Sequence, residues 1–311
     1  MKPTPDTCAS DFAHALHSAL TQSPHHISPK WFYDAEGSRL FDAICELPEY
    51  YPTRTELALL DRHAGDIGRR IGPEVELIEF GAGSLRKVRL LLDALERPAS
   101  LLPIDISADH LQASAAQLRR DRPGLSVQPI AADFTQALPL PPARGRRVGF
   151  FPGSSIGNFE PDEAAHLLQR MACWLDGGLL IGVDLIKDPD LLHAAYNDAQ
   201  GTTARFNRNL LARANAELGA DFDLNRWAHS AFYHPPHQRV EMHLISRCDQ
   251  VIHLCGQAIT MAEGESLHTE SSYKYTVAGF QRLARRAGFV PEAVWVDARR
   301  WFSLHWLRTA M

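Results

Sequence analysis

A chain of 311 residues with 45% hydrophobic content suits one large domain or two intimate ones, with a core that needs no disulfides. Its formal net charge of −5 argues against a nucleic-acid binder that works by neutralising phosphates. Five scattered cysteines with no C-x-x-C pair disfavour a zinc ribbon or a redox motif and predict reduced thiols.

The stretch Met1 to Pro24 has no apolar core of signal-peptide type, and no apolar run reaches the roughly 18 residues that span a bilayer. A soluble cytoplasmic protein is expected, with no membrane and no nucleic-acid partner. Residues 10–22 read as a short amphipathic helix, and 40–45 also look helical. Pro48-Glu-Tyr-Tyr-Pro-Thr53 is expected to be irregular, because two prolines bracket it, and a helix follows over 55–71.

Strand and helix then alternate. Strands are expected at 75–80, 100–105, 126–131, 147–152 and 178–184, with helices at 86–96, 108–120 and 161–174 between them. The strands are nearly continuous apolar runs, as in a parallel sheet covered on both faces. The alternation stops at Lys187. Residues 188–273 hold helices at 189–199 and 203–218 and strands at 238–246 and 249–259. The chain closes with a helix over 276–287 and strands at 290–297 and 301–308, the last expected to be antiparallel.

The most informative segment is Glu79-Phe-Gly-Ala-Gly-Ser-Leu-Arg-Lys87, where a buried strand meets a helix through a Gly-rich turn. The second strand ends on Asp105. Glycines let a backbone approach a ligand, and a carboxylate after the second strand can hold the hydroxyls of a ribose. The third glycine that a pyrophosphate would want is missing, which favours S-adenosylmethionine over NAD. A bare strand–turn–helix without ligand remains the plainer reading of the turn alone. Lys87 is a candidate partner for a methionine carboxylate, or a solvated helix lysine. Asp133-Phe134, after the third strand, offers an acceptor for an adenine amino group and a ring beside it. Phe151-Pro-Gly-Ser-Ser-Ile-Gly-Asn158 follows the fourth strand, with small residues making room and Asn158 able to donate and accept.

His25-His26 and His234-Pro-Pro-His237 lack further ligands nearby in sequence, and no His/carboxylate facial-triad spacing occurs, so no metal is expected. No G-x-S-x-G nucleophile elbow is present either.

Five motifs, Lys30-Trp-Phe-Tyr-Asp-Ala-Glu-Gly-Ser38, Leu47-Pro-Glu-Tyr-Tyr-Pro-Thr-Arg54, Gly153-Ser-Ser-Ile-Gly-Asn158, Phe206-Asn-Arg-Asn209 and Thr269-Glu-Ser-Ser-Tyr-Lys274, together resemble one family. It is the histidine-specific N-alpha-methyltransferases of ergothioneine biosynthesis, and the likeness runs over residues 25–308. The resemblance implies an α/β fold: a Rossmann-like class I methyltransferase sheet with a second α+β substrate-binding domain. That second domain would be the N-terminal arm, 1–54, plus an insertion at 188–273. The methyltransferase core would be 55–187, completed by 274–311. It also implies S-adenosylmethionine as methyl donor and trimethylation of the α-amino group of L-histidine to hercynine.

Position by position, the resemblance assigns Gly81, Lys87, Asp105, Asp133 and Phe134 to the cofactor. Tyr50 is placed near the imidazole, Asn158 and Tyr196 at the amino acid's backbone end, Glu270 and Ser272 on the imidazole, and Met242 along the side-chain pocket. Thr203 joins the substrate contacts, Gly153 leaves room where methyls accumulate, and Tyr33 is the candidate proton shuttle. Familiar mycobacterial members have Gly-Ser-Gly-Thr where this chain has Gly81-Ala-Gly-Ser84, and Val-Ser where it has Ser271-Ser272. The alternatives are the same reaction on an aromatic amino acid, or a non-catalytic adenosylmethionine-binding subunit. A monomer is expected.

Overall fold

A computed structural model describes residues 8–310. The order begins α1 (Asp11–Thr21), α2 (Ala35–Cys45), α3 (Tyr51–Ile71), β1 (Val75–Phe80), α4 (Arg86–Ala94), β2 (Ser100–Asp105) and α5 (Ala108–Asp121). Two short strands follow, β3 (Ser126–Val127) and β4 (Ile130–Ala131), then β5 (Arg146–Phe151), α6 (Pro161–Trp174), β6 (Gly178–Asp184), α7 (Pro189–Tyr196) and α8 (Thr202–Leu218). The remainder is β7 (Trp227–His234), β8 (Arg239–Ser246), β9 (Gln250–Leu254), β10 (Gln257–Met261), β11 (Ser266–Tyr273), α9 (Val277–Arg286), β12 (Phe289–Val296) and β13 (Phe302–Thr309). By contacts the chain forms two units, Tyr51–Lys187 with Ser272–Met311, and Met1–Tyr50 with Asp188–Ser271.

The larger unit is built on a sheet of order β12-β13-β6-β5-β1-β2-β3, with β4 also on β2. Strands β1, β2, β5 and β6 are parallel, and β13 runs antiparallel to both β6 and β12. This is the parallel α/β sheet that the apolar runs predict, and the antiparallel finish is the one expected from the likeness to methyltransferase sheets. Side chains alternate across a strand. Leu77, Leu101, Val148 and Leu180 therefore enter one core with Leu59 of α3, Leu91 of α4 and Leu111 of α5. Ile78, Leu102, Phe151 and Leu179 enter the other, with Leu168 of α6 and Phe280 of α9.

The second unit carries a three-stranded sheet of order β11-β8-β7, a β9–β10 hairpin, and helices α1, α2, α7 and α8. The Phe206 ring of α8 lies 4.6 Å from Phe32, 5.7 Å from Tyr33 and 6.0 Å from Phe41, centroid to centroid.

Several expectations need correction. Residues 51–53 are helical, because Pro52 falls in the first turn of α3, where its missing N–H forfeits no helical bond. The strand expected over 126–131 breaks at Gln128-Pro129 into β3 and β4, since proline cannot donate to a ladder. The single strand expected over 249–259 is a hairpin that turns on Cys255 and Gly256, with φ of +50° and +80°. The thiols expected to be reduced include a bonded pair, Cys8–Cys255, 247 residues apart in sequence. Spacing could not reveal a partner that the hairpin turn supplies. Cys45, Cys173 and Cys248 are free. No helix among the described residues is long and apolar enough to cross a membrane.

Candidate active site

The Gly-rich turn is shaped by its backbone. Gly81 and Gly83 have φ of +67° and +50°, a region that glycine enters without steric cost. The Gly83 N–H donates to Asp105 Oδ2 at 2.9 Å, and the Ser107 N–H donates to Asp105 Oδ1 at 2.8 Å. Strand pairing of β1 with β2 thus sets Asp105 directly on the turn. A Cβ at Gly81 would stand 3.7 Å from the Phe134 ring, so Phe134 borders the turn as well. Asp133 Oδ1 accepts from the Thr135 N–H at 2.8 Å and the Thr135 hydroxyl at 2.6 Å, which fixes the loop after β4.

Lys87 does not stand alone in solvent. Its Nζ lies 2.7 Å from Glu56 Oε2, a carboxylate with a fully buried side chain. Glu56 also accepts from the Gly153 N–H, at 2.9 and 3.1 Å to its two oxygens. Lys87 and Gly153 are therefore joined through a residue of α3. Gly153 itself has φ of +79°, and a Cβ there would sit 3.3 Å from Lys87 Nζ. Its smallness answers to the backbone and the lysine.

Glu79 was not singled out from the sequence, although it stands two residues before Gly81. It is 1% exposed, and its Oε2 has no hydrogen-bond partner. Burial pushes its carboxyl well above the usual range; Lys87 opposes this, while Asp105 and Glu56 add to it. Glu56, Glu79 and Asp105 thus outnumber one ammonium around the turn.

The loop after β5 ends in a short 3-10 turn, Ser155–Asn158, which carries Asn158 half-buried. A Cβ on Gly157 would lie 2.7 Å from the Tyr273 carbonyl oxygen, so the loop packs against the β11 backbone because Gly157 is bare. Behind the loop sits a buried ionic cluster. Asp184 accepts from Tyr51 Oη at 2.7 Å and Lys187 Nζ at 2.5 Å, and Lys274 Nζ lies 3.0 Å away. Lys274 also donates to Ser272 Oγ at 2.7 Å, and the Asp184 N–H donates to Ser154 Oγ at 2.9 Å. Burial opposes the charge on Asp184, but Lys274 and Lys187 hold its carboxyl below the usual range. Burial lowers Lys187 to about 8 against the pull of Asp184.

In the second unit the structure gathers Tyr33, Tyr50, Tyr196 and Glu270. The Tyr50 and Tyr196 rings are 6.5 Å apart. Burial, then Tyr196, Cys45, Glu270 and Tyr33, raise the Tyr50 phenol well above its ordinary value, so it stays neutral and able to donate. Met242 and Glu270 lie on neighbouring strands, and the Thr269 hydroxyl reaches the Met242 carbonyl at 3.1 Å. Thr203 is buried at the start of α8, and its N–H donates to Asp198 Oδ1 at 2.8 Å.

Asn207 was quoted within a motif but given no role. Its Oδ1 accepts from the Thr269 hydroxyl at 2.7 Å, and its Nδ2 meets His229 Nδ1 at 2.9 Å. His229 Nε2 in turn contacts the Tyr196 carbonyl at 2.9 Å. One buried amide therefore braces both Tyr196 and the residue beside Glu270. Asn209, from the same motif, donates to Asp34 Oδ1 at 2.8 Å, next to Tyr33. The structure also clusters Glu241, His243 and His268, a His/carboxylate group that sequence spacing does not reveal because His268 lies on another strand.

A model of a histidine-specific, S-adenosylmethionine-dependent methyltransferase family matches residues 12–309. The chain belongs to this family. It is 39% identical over 307 residues to a histidine N-alpha-methyltransferase of Mycolicibacterium smegmatis, covering 96% of this chain and 95% of that protein. It is 33% identical over 217 residues to ergothioneine biosynthesis protein 1 of Schizosaccharomyces pombe, covering 65% of this chain and 28% of that protein. Among solved structures, the CcbJ methyltransferase of Streptomyces caelestis matches with a TM-score of 0.52 at 15% identity, over 88% of this chain and 98% of that one. That likeness concerns the fold. The chain is an S-adenosylmethionine-dependent enzyme with a Rossmann-like core.

Proposed function

We propose that the protein transfers three methyl groups from S-adenosylmethionine to the α-amino group of L-histidine, giving hercynine for ergothioneine biosynthesis. It would work as a cytoplasmic monomer. The observation that carries this reading is the gathering of Tyr50, Tyr196 and buried Glu270, with Asn207 bracing Tyr196 through His229 and holding Thr269 beside Glu270, in a chain of the histidine-specific family.

Gly81, Asp105, Asp133 and Phe134 hold the nucleoside, and Lys87 meets the methionine carboxylate while Glu56 keeps its ammonium in place. The unpartnered Oε2 of buried Glu79 fits a cationic ligand, as the methionine ammonium is. When bound, the cofactor supplies an electrophilic methyl on a sulfonium. Glu270 and Ser272 take the imidazole, with Tyr50 donating as a neutral phenol and Met242 and Thr203 filling the side-chain pocket. Asn158 and Tyr196 fix the backbone end, so that the amine lone pair lies in line for attack. The amine must lose a proton before each transfer, and Tyr33 passes it to solvent. A side chain without ring nitrogens would forfeit the bond to the buried Glu270 carboxylate, a penalty that can reach about 10⁴ in selectivity.

Incubating the enzyme with S-adenosylmethionine and all twenty amino acids, with products followed by mass, tests the reading. Trimethylhistidine alone is expected. Methylation of an aromatic amino acid in preference to histidine, or of none, would overturn it.

A further inference from the structure

The cluster of Glu241, His243 and His268 takes no part in the reaction proposed above. Glu241 and His243 project from β8 and His268 from β11, strands that neighbour each other in one sheet. Glu241 Oε2 lies 3.0 Å from His243 Nε2. The His243 and His268 rings are stacked, with centroids 4.7 Å apart and planes at 13°. One ligand-capable atom from each of the three lies within 4.8 Å of the other two. The His26 ring approaches His268 edge-on at 5.0 Å.

The groups around the cluster already orient it. His268 Nε2 is 2.9 Å from the Glu270 carbonyl oxygen. A carbonyl only accepts, so Nε2 carries the hydrogen and Nδ1 keeps the lone pair. Metal-ligating histidines typically donate their second N–H in this way. Ser271 Oγ, 3.3 Å from the same Nε2, completes its polar surroundings. Arg239 Nε donates to Glu241 Oε1 at 2.7 Å, which leaves Oε2 turned toward His243. The guanidinium tempers the affinity for a cation while it fixes the carboxylate.

We propose that Glu241 Oε2, His243 Nε2 and His268 Nδ1 form a binding site for one divalent transition-metal ion of the Zn²⁺ class. Two imidazoles and one carboxylate are a donor set that such ions favour, with water completing the shell. A neutral His243 binds after its hydrogen moves from Nε2 to Nδ1; a charged one releases a proton. The ion would then be linked to Glu270 through the His268 hydrogen bond to its carbonyl.

The test uses the whole chain, stripped with a chelator and desalted, and titrated with Zn²⁺ by calorimetry and with Co²⁺ by visible absorption. One equivalent is expected to bind, and to be lost in Glu241→Gln and in His243→Gln. His237→Gln is expected to retain it; this controls for the His234–His237 pair, whose rings lie 4.6 Å apart. Unchanged stoichiometry and affinity in both site variants would overturn the proposal, as would the absence of any bound equivalent in the wild type. If the variants misfold, X-ray absorption of the Co²⁺-loaded wild type decides: two imidazoles in the first coordination sphere support the site, and their absence refutes it. Neither readout involves methyl transfer, so failure here leaves the enzymatic reading untouched.

Discussion

Asp184→Asn is the most demanding test of how the larger unit is held together. The substitution keeps the shape of the side chain and removes its charge. Two ammonium groups then lose their counter-ion: Lys187, 2.5 Å away and 4% exposed along its side chain, and Lys274, 3.0 Å away and 1% exposed. Breaking a buried pair by removing one partner costs about 3–5 kcal/mol, because the charge left behind is uncompensated. Native stabilities are roughly 5–15 kcal/mol, so the variant should be severely weakened. Tyr51 and, through Lys274, Ser272 lean on this carboxylate, and histidine affinity should fall with stability. Urea unfolding at several pH values is the assay. The deficit should be greatest near neutrality and shrink as rising pH discharges the lysines. A loss below about 1 kcal/mol at neutral pH, the scale of a surface pair, would refute the argument.

Lys187 has its folded value lowered to about 8 from 10.5, so its contribution to stability is present above the unfolded value and lost as pH falls through about 8. Wild-type stability should therefore gain a rising component across that window, which Lys187→Met removes; identical pH profiles would contradict it. Glu270→Ala should abolish the calorimetric signal of histidine binding while adenosylhomocysteine affinity stays intact, and undiminished histidine turnover would show the assignment to be wrong. Asp105→Ala should weaken the cofactor first, by about 1.5–3 kcal/mol per charge-assisted bond lost, and binding within twofold of wild type would count against it. Gly153→Ala places a Cβ at φ +79° beside Lys87 Nζ, costing about 1–2 kcal/mol. All three transfers should slow together, whereas mono- or dimethylhistidine accumulating alone would place the methyl groups at this residue after all.

What could be read from the sequence was what is local in it. β1, the Gly-rich turn, α4 and β2 follow one another without interruption, so periodicity and composition sufficed to find them. β7 and β11 escaped because Trp227-Ala-His-Ser-Ala-Phe-Tyr-His234 and Ser266-Leu-His-Thr-Glu-Ser-Ser-Tyr273 carry too many polar residues to read as strands. The partner of Lys87 was hidden for a different reason. Glu56 is one acid among several on α3, and only the fold shows that its side chain is fully buried against the lysine and Gly153. Asn207 stood in a quoted motif, but its three partners, His229, His243 and Thr269, come from three strands. Glu79 did carry a signal, an acid inside a run of apolar residues that leads into the turn.

The charge balance at that turn also bears on which nucleotide the fold can take. Three carboxylates, Glu56, Glu79 and Asp105, stand near one ammonium, Lys87, and the buried Glu79 Oε2 has no hydrogen-bond partner. A pyrophosphate would bring two further negative charges to a place that already fails to neutralise its own. Its usual compensation, a helix N-terminus approached through a third glycine, is occupied here by Ser84-Leu85-Arg86, with Leu85 buried and itself in the left-handed region at φ +57°. S-adenosylmethionine reverses the sign: its sulfonium and its ammonium are both cations, and it carries one carboxylate. The burial that pushes the Glu79 carboxyl upward also strengthens its attraction for a cation, because that attraction acts in a low dielectric. The missing glycine and the acid around the turn thus both suit a cationic nucleoside better than an anionic one.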